Sequence, residues 1–398
     1  MRIYVITPGY PSKNNPIGAT PIVHYFTREW VKMGHKVTVF HLEKQYPLLV
    51  RWFSRMFEAK LYSLLGNPVR IKKPIEYVEE NEGVKVYHRI IRKSIISKRY
   101  YKRDVYKMFE MVKQYCHNNG IPDAFVGHWD NPQLELLSLL KSEYPTVKNS
   151  LVLHTINKDL KNFYSKEWGH LIDSIDTLGF RNYSAQEKFK DQYFTPKRTF
   201  VAASGISEVF VNNSCEKKFE EEVKSFIYVG ALIKRKHPFE LLKAVTDVYG
   251  NKPYNLTYIG EGNETETILK YFANLKGEGK LEMTGRIPRE KVIDYLKQSD
   301  VFVMISDHET FGLVYLEAMS MGCITVASVG GGVDGIIKSG VNGFLCKQGD
   351  ARSLAEVIET IRSLSIEEKI IISRNAVSTA LYYSDRNVAK SYLNAIVS

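Results

Sequence analysis

Short apolar runs recur along the chain, each bounded by glycine, proline or polar residues. Two of them open similar patterns, RIYVIT at 2–7 and SFIYVG at 225–230. Both are rich in β-branched and aromatic residues, which predicts buried β-strands. A helical pattern follows each run, at 22–35 (IVHYFTREWVKMGH) and at 238–250 (PFELLKAVTDVYG). The chain therefore contains two regions that begin with the same predicted order of strand, loop and helix.

Further strand patterns occur in both regions. They are KVTVF at 36–40, AFVGH at 124–128 and SLVLH at 150–154 in the first, and NLTYIG at 255–260, DVFVMIS at 300–306 and ITVAS at 324–328 in the second. Strands that alternate with helices of this length predict parallel sheets built from βαβ units. The expected fold class is α/β, with two Rossmann-like, doubly wound domains that face each other across a cleft.

The domain boundaries follow from composition. We expect an N-terminal domain at 1–210, a linker at 211–224, a C-terminal domain at 225–380 and a helical tail at 381–398. The linker sequence VNNSCEKKFEEEVK is polar and carries no strand pattern. The tail is expected to pack back on the N-terminal domain. A chain of 398 residues has room for two or three hydrophobic cores.

Polar and glycine-rich segments follow most of the predicted strands. Ligands of open α/β sheets bind beyond the carboxyl ends of the strands, so these segments are where a site is expected. They are PGYPSKNNPIGATP (8–21), His154, ALIKRKHP (231–238), EGNE (261–264), SDHETFGLVYLEAMSMG (306–322) and VGGGVDG (329–335).

The segment 231–238 places Lys234, Arg235 and Lys236 just ahead of a predicted helix. Basic side chains near a helix N-terminus form a binding site for phosphate. An exposed basic loop is the alternative, because short Lys/Arg runs are common. The three glycines at 330–332 would add a second phosphate-cradling wall, or they form only a turn.

Two glutamates, Glu309 and Glu317, flank a Phe-Gly step and the start of a predicted helix. The amides of Gly312 and Leu313 at that start would be free to attract an anion. Glu317 lies roughly one and a half turns further on, among apolar neighbours. A carboxylate there can accept two hydroxyl hydrogen bonds, as from a ribose diol. A solvated helix residue is the alternative.

These motifs resemble those of the retaining family 4 glycosyltransferases (glycosyl transferases group 1), which have the GT-B fold and use nucleotide-sugar donors. The most specific element is the Glu-x7-Glu motif at 309–317, which is followed by AMSMGCITVAS. The supporting segments are GALIKRKHP (230–238), GEGNE (260–264), TGRIP (284–288), the glycines at 331–332, NGFLC (342–346), GHKVTVF (34–40), SLVLH (150–154) and VAASGISEVF (201–210). The resemblance covers essentially the whole chain.

The resemblance implies a role for each matching residue. Lys236 would neutralise the donor diphosphate, Glu317 would hold the ribose hydroxyls, and Glu309 would contact hydroxyls of the transferred sugar. His154 would face the donor sugar from the first domain. Gly18 would let a loop of that domain approach the phosphates. The catalytic set is thus His154, Lys236 and Glu309, and the donor-binding set is Gly18, Gly230, Lys234, Arg235, Gly260, Arg286, Ile287, Thr310, Phe311, Gly312, Leu313 and Glu317.

Some positions depart from the family's pattern. Ala231 stands where an arginine commonly follows the glycine of the phosphate strand. Phosphate binding then falls to Lys236 with help from Lys234 or Arg235, or the donor is held more weakly. The other departures are Asp334 and Gly335 in place of a glutamate, Gly18-Ala19 in place of Gly-Gly, and Ser204-Gly205 in place of Asn-Gly.

The expected chemistry needs no cofactor and no metal ion. The chain has no Asp-x-Asp pair, and the cationic loop can replace a metal at the diphosphate. The resemblance implies attack from the face that the leaving group departs, with the leaving phosphate taking the acceptor's proton. The expected donor is a UDP-sugar in slight preference to a GDP-sugar. The expected acceptor is a saccharide or a lipid-linked molecule in glycan or cell-surface polysaccharide biosynthesis.

Positive charge is concentrated in the first region. The formal net charge is +11, and the segment from Glu43 to Lys113 holds 17 Lys/Arg against 8 Asp/Glu. Within it, 46–65 has the pattern of an amphipathic helix, and 89–107 combines basic with aromatic residues. Both suit an anionic membrane surface. The alternative for 46–65 is a helix packed on its own domain.

We expect a cytoplasmic protein, peripheral at the inner face of the membrane if the basic region docks there. No apolar run approaches the roughly 20 residues of a membrane span. The N-terminus lacks the pattern of a signal peptide, and the four cysteines show no paired spacing. Two alternatives stay open, a nucleotide-sugar epimerase of the same fold and a non-catalytic nucleotide- or nucleic-acid-binding protein. The two glutamates favour transfer, and no nucleic-acid partner is expected.

Overall fold

A computed structural model describes residues 1–14, 21–47, 74–94, 97–154, 160–193 and 198–397. The chain divides into two units, of which unit 1 comprises Met1–Phe180, Phe189–Ala202 and Ala389–Ser398, and unit 2 comprises Arg181–Lys188 and Ala203–Val388. The predicted amphipathic helix at 46–65 lies almost wholly outside the described residues, and Gly18 lies outside them too.

Unit 1 is built on a sheet that has eight strands among the described residues. They are β1 Arg2–Thr7, β2 Lys36–Gln45, β3 Tyr77–Asn81, β4 Val84–Arg92, β5 Ala124–His128, β6 Lys148–Leu153, β7 Thr177–Phe180 and β8 Arg198–Val201. The strand order is β3-β4-β2-β1-β5-β6-β7-β8, and every pair is parallel except β3 with β4. The central strand β1 is buried from Ile3 onward, as its continuous apolar run predicts.

Unit 2 is built on a parallel sheet that has six strands in the described part of the chain. They are β9 Ser225–Val229, β10 Asn255–Ile259, β11 Lys280–Gly285, β12 Val301–Val303, β13 Ile324–Ser328 and β14 Phe344–Cys346. Their order is β11-β10-β9-β12-β13-β14, so the strand order reverses at β9, which pairs with β10 on one side and β12 on the other. Ligands of doubly wound sheets bind at such a switch point, beyond the carboxyl ends of the strands.

Helices connect most of these strands. The described α-helices are α1 Ile22–Lys32, α2 Lys102–Asn119, α3 Gln133–Glu143, α4 Leu160–Tyr164, α5 Trp168–Asp173, α6 Tyr183–Gln192, α7 Glu208–Asn212, α8 Pro238–Tyr249, α9 Thr265–Ala273, α10 Arg289–Gln298, α11 Leu313–Ser320, α12 Ala351–Ser363, α13 Ile366–Tyr382 and α14 Asp385–Val397. The first helix ends before the predicted residue 35, because Gly34 adopts a φ of +87°. Across the residues described, no helix is both long and apolar enough to span a bilayer.

The predicted fold class, two parallel-sheet α/β domains, is confirmed by the two sheets. The apolar runs located the central strands of both. The hairpin of β3 and β4 was not predicted, because these strands carry many charged residues and are only half buried. The basic segment 89–107 begins in β4 and ends in α2.

The segment 211–224, which the sequence suggests as a linker, lies within unit 2. Val223 is buried there, and so is Lys217. The Lys217 ammonium donates to the carbonyl oxygens of Leu296 at 2.8 Å and Lys297 at 3.1 Å, at the carboxyl end of α10. A buried lysine in this place satisfies carbonyl groups that a helix end leaves without partners.

The last residues of the chain, from Ala389, belong to unit 1. The Trp30 indole donates from Nε1 to the Ala389 carbonyl at 2.9 Å. Tyr392 is buried, and its ring lies 5.1 Å from that of Phe26 and 5.2 Å from that of Trp30. The end of α14 thereby completes an aromatic cluster of unit 1.

Candidate active site

Backbone hydrogen bonds tie together the ends of β9, β10 and β11. The Gly230 N–H donates to the Ile259 carbonyl at 2.9 Å, and the Gly260 N–H donates to the Gly285 carbonyl at 2.9 Å. Gly260 has a φ of +143°, and a Cβ at this position would clash with the Gly230 carbonyl oxygen. Glycine at 260 therefore lets these strand ends approach each other closely.

The basic loop after β9 forms a single 3-10 turn, Lys234–Lys236, ahead of α8. Lys234 and Arg235 are exposed, whereas the Lys236 side chain is largely buried. The Lys236 Nζ lies 3.2 Å from the Glu309 Oε2, and the Arg235 Nη1 lies 3.9 Å from the same oxygen. The fold thus brings three of the predicted site residues together, from the loops on either side of the strand switch.

The loop after β12 is held in place by further hydrogen bonds. The Asp307 N–H donates to the Arg235 carbonyl at 2.8 Å, and the Arg235 Nη1 donates to the Asp307 carbonyl at 2.9 Å. The Thr310 carbonyl accepts from the Asn182 Nδ2 at 2.6 Å. Phe311 is buried, and a Cβ at Gly332 would clash with its carbonyl oxygen. The glycine-rich segment after β13 therefore supports the backbone of the Glu309 loop.

The start of α11 presents the amides predicted to attract an anion. Gly312 precedes the helix with a φ of +80°. Within the described residues, neither the Gly312 nor the Leu313 N–H donates to a protein acceptor. Unpaired amides at a helix start carry partial positive charge, so this place suits a phosphate oxygen.

Glu317 is buried, with 5% of its surface exposed, as its apolar neighbours predict. Its carboxylate pairs with the Arg289 guanidinium at the start of α10. Burial raises the pKa of Glu317, and the charge of Arg289 opposes that rise. Arg289 in turn lies over the Phe210 ring, with its Cζ 5.3 Å from the ring centroid. No motif marks Arg289, and sequence reasoning missed it.

Arg286 and Ile287 follow directly after β11, next to Gly285 with its φ of +68°. Arg286 is exposed and Ile287 is half-buried. Both therefore lie at the carboxyl end of a strand in the same sheet as the basic loop. Among the described residues, neither side chain has a hydrogen bond or ion pair with another predicted site residue.

His154 lies in unit 1, directly after β6. Its Nε2 is 3.0 Å from the Nδ1 of His128, and its ring stacks on that of Trp129 with 3.6 Å between centroids. Sequence reasoning missed His128, although AFVGH ends in a histidine just as SLVLH does. The histidine at the end of each strand was therefore the signal that could have drawn attention to His128.

Within the ranges described, no group of three or more His, Cys, Asp or Glu side chains could hold a metal ion. Independence from metal remains a prediction.

The basic loop and the two glutamates of unit 2 lie in a segment that resembles known proteins. Residues 212–377 match the family model of the glycosyl transferases group 1. The matched segment covers less than half of the chain. It contains the basic loop, both glutamates and the glycine-rich segment, so the resemblance predicted from the Glu-x7-Glu motif is confirmed.

Curated relatives align mainly with part of the chain. The N-acetyl-alpha-D-glucosaminyl L-malate synthase of Bacillus anthracis is 31% identical over 38% of the chain and 39% of its own length. Sulfoquinovosyl transferase SQD2 of Arabidopsis thaliana is 34% identical over 36% of the chain and 27% of its own length. The putative teichuronic acid biosynthesis glycosyltransferase TuaC of Bacillus subtilis is 22% identical over 90% of the chain and 88% of its length. The chain thus spans well under half of the first two relatives.

Solved structures share the fold along the whole chain. Sucrose-phosphate synthase from Thermosynechococcus elongatus superposes with a TM-score of 0.64 at 15% identity, covering 99% of this chain and 97% of that one. Anabaena HepE in complex with UDP and glucose superposes with a TM-score of 0.61 at 14% identity, covering 100% and 99%. At these identities the likeness shows the GT-B fold and no shared substrate.

Proposed function

We propose that the protein is a retaining glycosyltransferase that moves a sugar from a nucleoside-diphosphate sugar to a saccharide or lipid-linked acceptor. The observation that carries this proposal is the constellation at the strand switch of unit 2. There, Lys236 lies 3.2 Å from Glu309, beside the loop that leads into the free amides of α11. A cation, anion-binding amides and carboxylates for hydroxyl groups are what a sugar diphosphate needs.

The ion pairs of Glu309 and Glu317 suggest how the donor would bind. The diphosphate would take Lys236 from Glu309, because the diphosphate of a nucleotide sugar carries two negative charges and the carboxylate carries one. Glu309 would then be free to accept hydrogen bonds from hydroxyls of the transferred sugar. Glu317, whose pKa is raised by burial and held down by Arg289, would hold the ribose hydroxyls in its ionised form.

In the transfer reaction the nucleoside diphosphate leaves the sugar with the electron pair of the broken bond, so negative charge builds up on its phosphate oxygen. Lys236 and the α11 amides would stabilise that charge as the bond from the sugar carbon to phosphate oxygen breaks. The acceptor oxygen would bond to the same carbon from the same face. Its proton would pass to the leaving phosphate, so that configuration is retained. His154 would contact the donor sugar, as the family resemblance implies.

The preferred donor is a UDP-sugar, with a GDP-sugar as second choice. The UDP complex of the structural neighbour HepE supports this order. The name of TuaC supports an acceptor from cell-surface polysaccharide biosynthesis. Both arguments transfer a property of a protein of low sequence identity to this chain, so both belong to the proposal.

A thermal-shift panel of UDP-, GDP- and ADP-sugars tests donor binding, because a ligand that binds the folded state raises its melting temperature. Turnover of the donor that binds is then followed with candidate acceptors, with and without EDTA. Transfer that survives EDTA supports a metal-free site, and a strict need for Mn²⁺ or Mg²⁺ contradicts it. Isomerised donor without acceptor would show an epimerase, and binding without turnover would show a non-catalytic binder.

Peripheral docking to an anionic membrane is the second part of the proposal. The described part of 89–107 exposes basic residues at the end of β4, ahead of α2 and in its first turns, namely Arg92, Lys98, Lys102, Arg103 and Lys107. Tyr101 and Tyr106 are 43% and 55% exposed beside them. Basic residues with exposed aromatics suit a headgroup layer.

Flotation with vesicles that contain anionic lipid tests this surface. The protein should float at low salt, and K102E/R103E should float less. Flotation that is equally strong with neutral vesicles, or absent with anionic ones, contradicts docking through this surface.

A further inference from the structure

His237 stands between the basic loop and α8 in a left-handed backbone conformation, with φ +51° and ψ +45°. For a residue other than glycine this conformation is strained. A glycine would avoid that strain, so the contacts of the imidazole are what a histidine adds at this position.

Two carboxylates and a glycine enclose the imidazole of His237. Its Nε2 lies 2.9 Å from the Asp307 Oδ2, and its Nδ1 lies 3.4 Å from the Glu240 Oε1. A Cβ at Gly349 would clash with the ring, and Gly349 has a φ of +59°. A larger residue at 349 would therefore clash with the His237 ring and would also be strained in this backbone conformation.

These contacts connect the two loops that form the candidate donor site. Asp307 belongs to the loop after β12, two residues before Glu309, whereas His237 directly follows Lys236. The ion pair of Lys236 with Glu309 also joins the two loops, and so do the two hydrogen bonds between Arg235 and Asp307. A donor diphosphate would break the ion pair and would leave the contacts of Asp307 with His237 and Arg235 in place.

We propose that His237 is a positioning residue, whose imidazole holds the loop of Lys236 against the loop of Glu309 while the donor is bound. This inference rests on the proposed function, because the two loops are its donor site. The imidazole acts through Asp307 and has no contact with substrate in this account. Its loss should therefore affect turnover more than donor binding or overall stability.

The variant His237→Gly removes the ring and relieves the backbone strain. We expect its melting temperature to equal or exceed that of the unaltered protein, since glycine adopts this backbone freely. We expect kcat to fall by roughly ten- to a hundredfold, because small misplacements of reacting groups have effects of that size. The KM for the donor should change much less.

A matched control is available in the opposite loop. His308 also adopts a positive φ, +49°, and it is exposed. His308→Gly makes the same chemical change without removing a contact between the loops, so kcat should stay near its original value. Asp307→Asn should reproduce the loss of His237→Gly, and the double variant should lose little more than either single variant.

Hydrogen exchange separates this inference from the proposed function. His237→Gly should speed amide exchange in 233–237 and in 306–312, whether or not the protein transfers sugar, and His308→Gly should not speed it in 233–237. Unchanged exchange in His237→Gly overturns the link between the loops. Faster exchange with unchanged kcat overturns the positioning role. Faster exchange in a protein that turns over no donor supports the link and contradicts the proposed function instead.

Discussion

Single residues in the site differ most in how their charges are paired. Glu309 faces the cations of Lys236 and Arg235, whereas the more deeply buried Glu317 has Arg289 as its ion-pair partner in the described chain. Lys234 is exposed although it belongs to the same basic run. The run therefore contains one lysine that is held inside the site and one that is not.

This difference predicts unequal effects for the two lysines. Lys236→Ala should lower kcat by about a hundredfold or more, the usual effect of removing one preorganised donor from a transition state. Lys234→Ala should have little effect on kcat and serves as the control. Steady-state kinetics with the donor found in the thermal-shift panel measures both, and equal mild losses would move the phosphate site elsewhere.

Glu317 predicts a pH effect with a definite sign. Burial raises its pKa, so the folded protein binds this proton more tightly than the unfolded chain does. Its contribution to stability is therefore present at low pH and is lost as pH rises through the folded-state pKa. Binding of a ribose needs the ionised carboxylate, so nucleotide affinity should rise over the same pH range.

Arg289→Met tests that sign. Without the guanidinium, burial alone acts, and the pKa of Glu317 should rise further. The pH midpoint of UDP binding, measured by calorimetry across acidic to neutral pH, should shift upward. Arg352→Met is the control, because Arg352 is 92% exposed and its partner Glu356 lies outside the site. A midpoint that stays or shifts downward would contradict the role of Arg289.

At the scale of elements, the site depends on how closely strand ends and loops approach each other. The ends of β9, β10 and β11 meet at Gly230, Gly260 and Gly285, and the loop of Phe311 rests on Gly332. In the sequence, these glycines indicated only that loops follow the strands. Which backbone each one faces is decided by strand order, since β9 lies between β10 and β12.

Gly260→Ala should therefore disturb both stability and binding. Its Cβ would displace the Gly230 carbonyl, and overpacking of this kind costs about 1–3 kcal/mol. We expect a lower melting temperature and weaker binding of UDP. Gly169→Ala is a matched control in α5, where a Cβ meets no atom within 4 Å. Unchanged UDP affinity in Gly260→Ala would show that the strand ends tolerate the shift.

At the scale of the whole molecule, the end of the chain completes unit 1. Ala389 accepts a hydrogen bond from Trp30, and Tyr392 packs against Phe26 and Trp30. The tail at 381–398 was expected to pack on the N-terminal domain from its helical pattern alone. Its contact residues had no signal in the sequence, since Trp30 and Ala389 are separated by 359 positions.

Tyr392→Ala should destabilise unit 1 by about 3–5 kcal/mol, the usual cost of truncating a buried aromatic residue. The described tryptophans, Trp30, Trp129 and Trp168, belong to unit 1, so denaturation followed by tryptophan fluorescence reports on it. Tyr382→Ala is the control, because Tyr382 is 67% exposed and belongs to unit 2. A fluorescence midpoint unchanged in Tyr392→Ala would contradict the packing role.

The sequence by itself determined the fold class, the central strands and the family. Apolar runs and helical periodicity are local properties, and the Glu-x7-Glu motif lies within one loop and one helix. Only the tertiary structure decided that Glu309 meets Lys236, that Glu317 meets Arg289 and that His237 meets Asp307, pairs that lie 28 to 73 positions apart. Such pairs depend on strand order and register, which arise when separate βαβ units pack into one sheet and which no local pattern encodes.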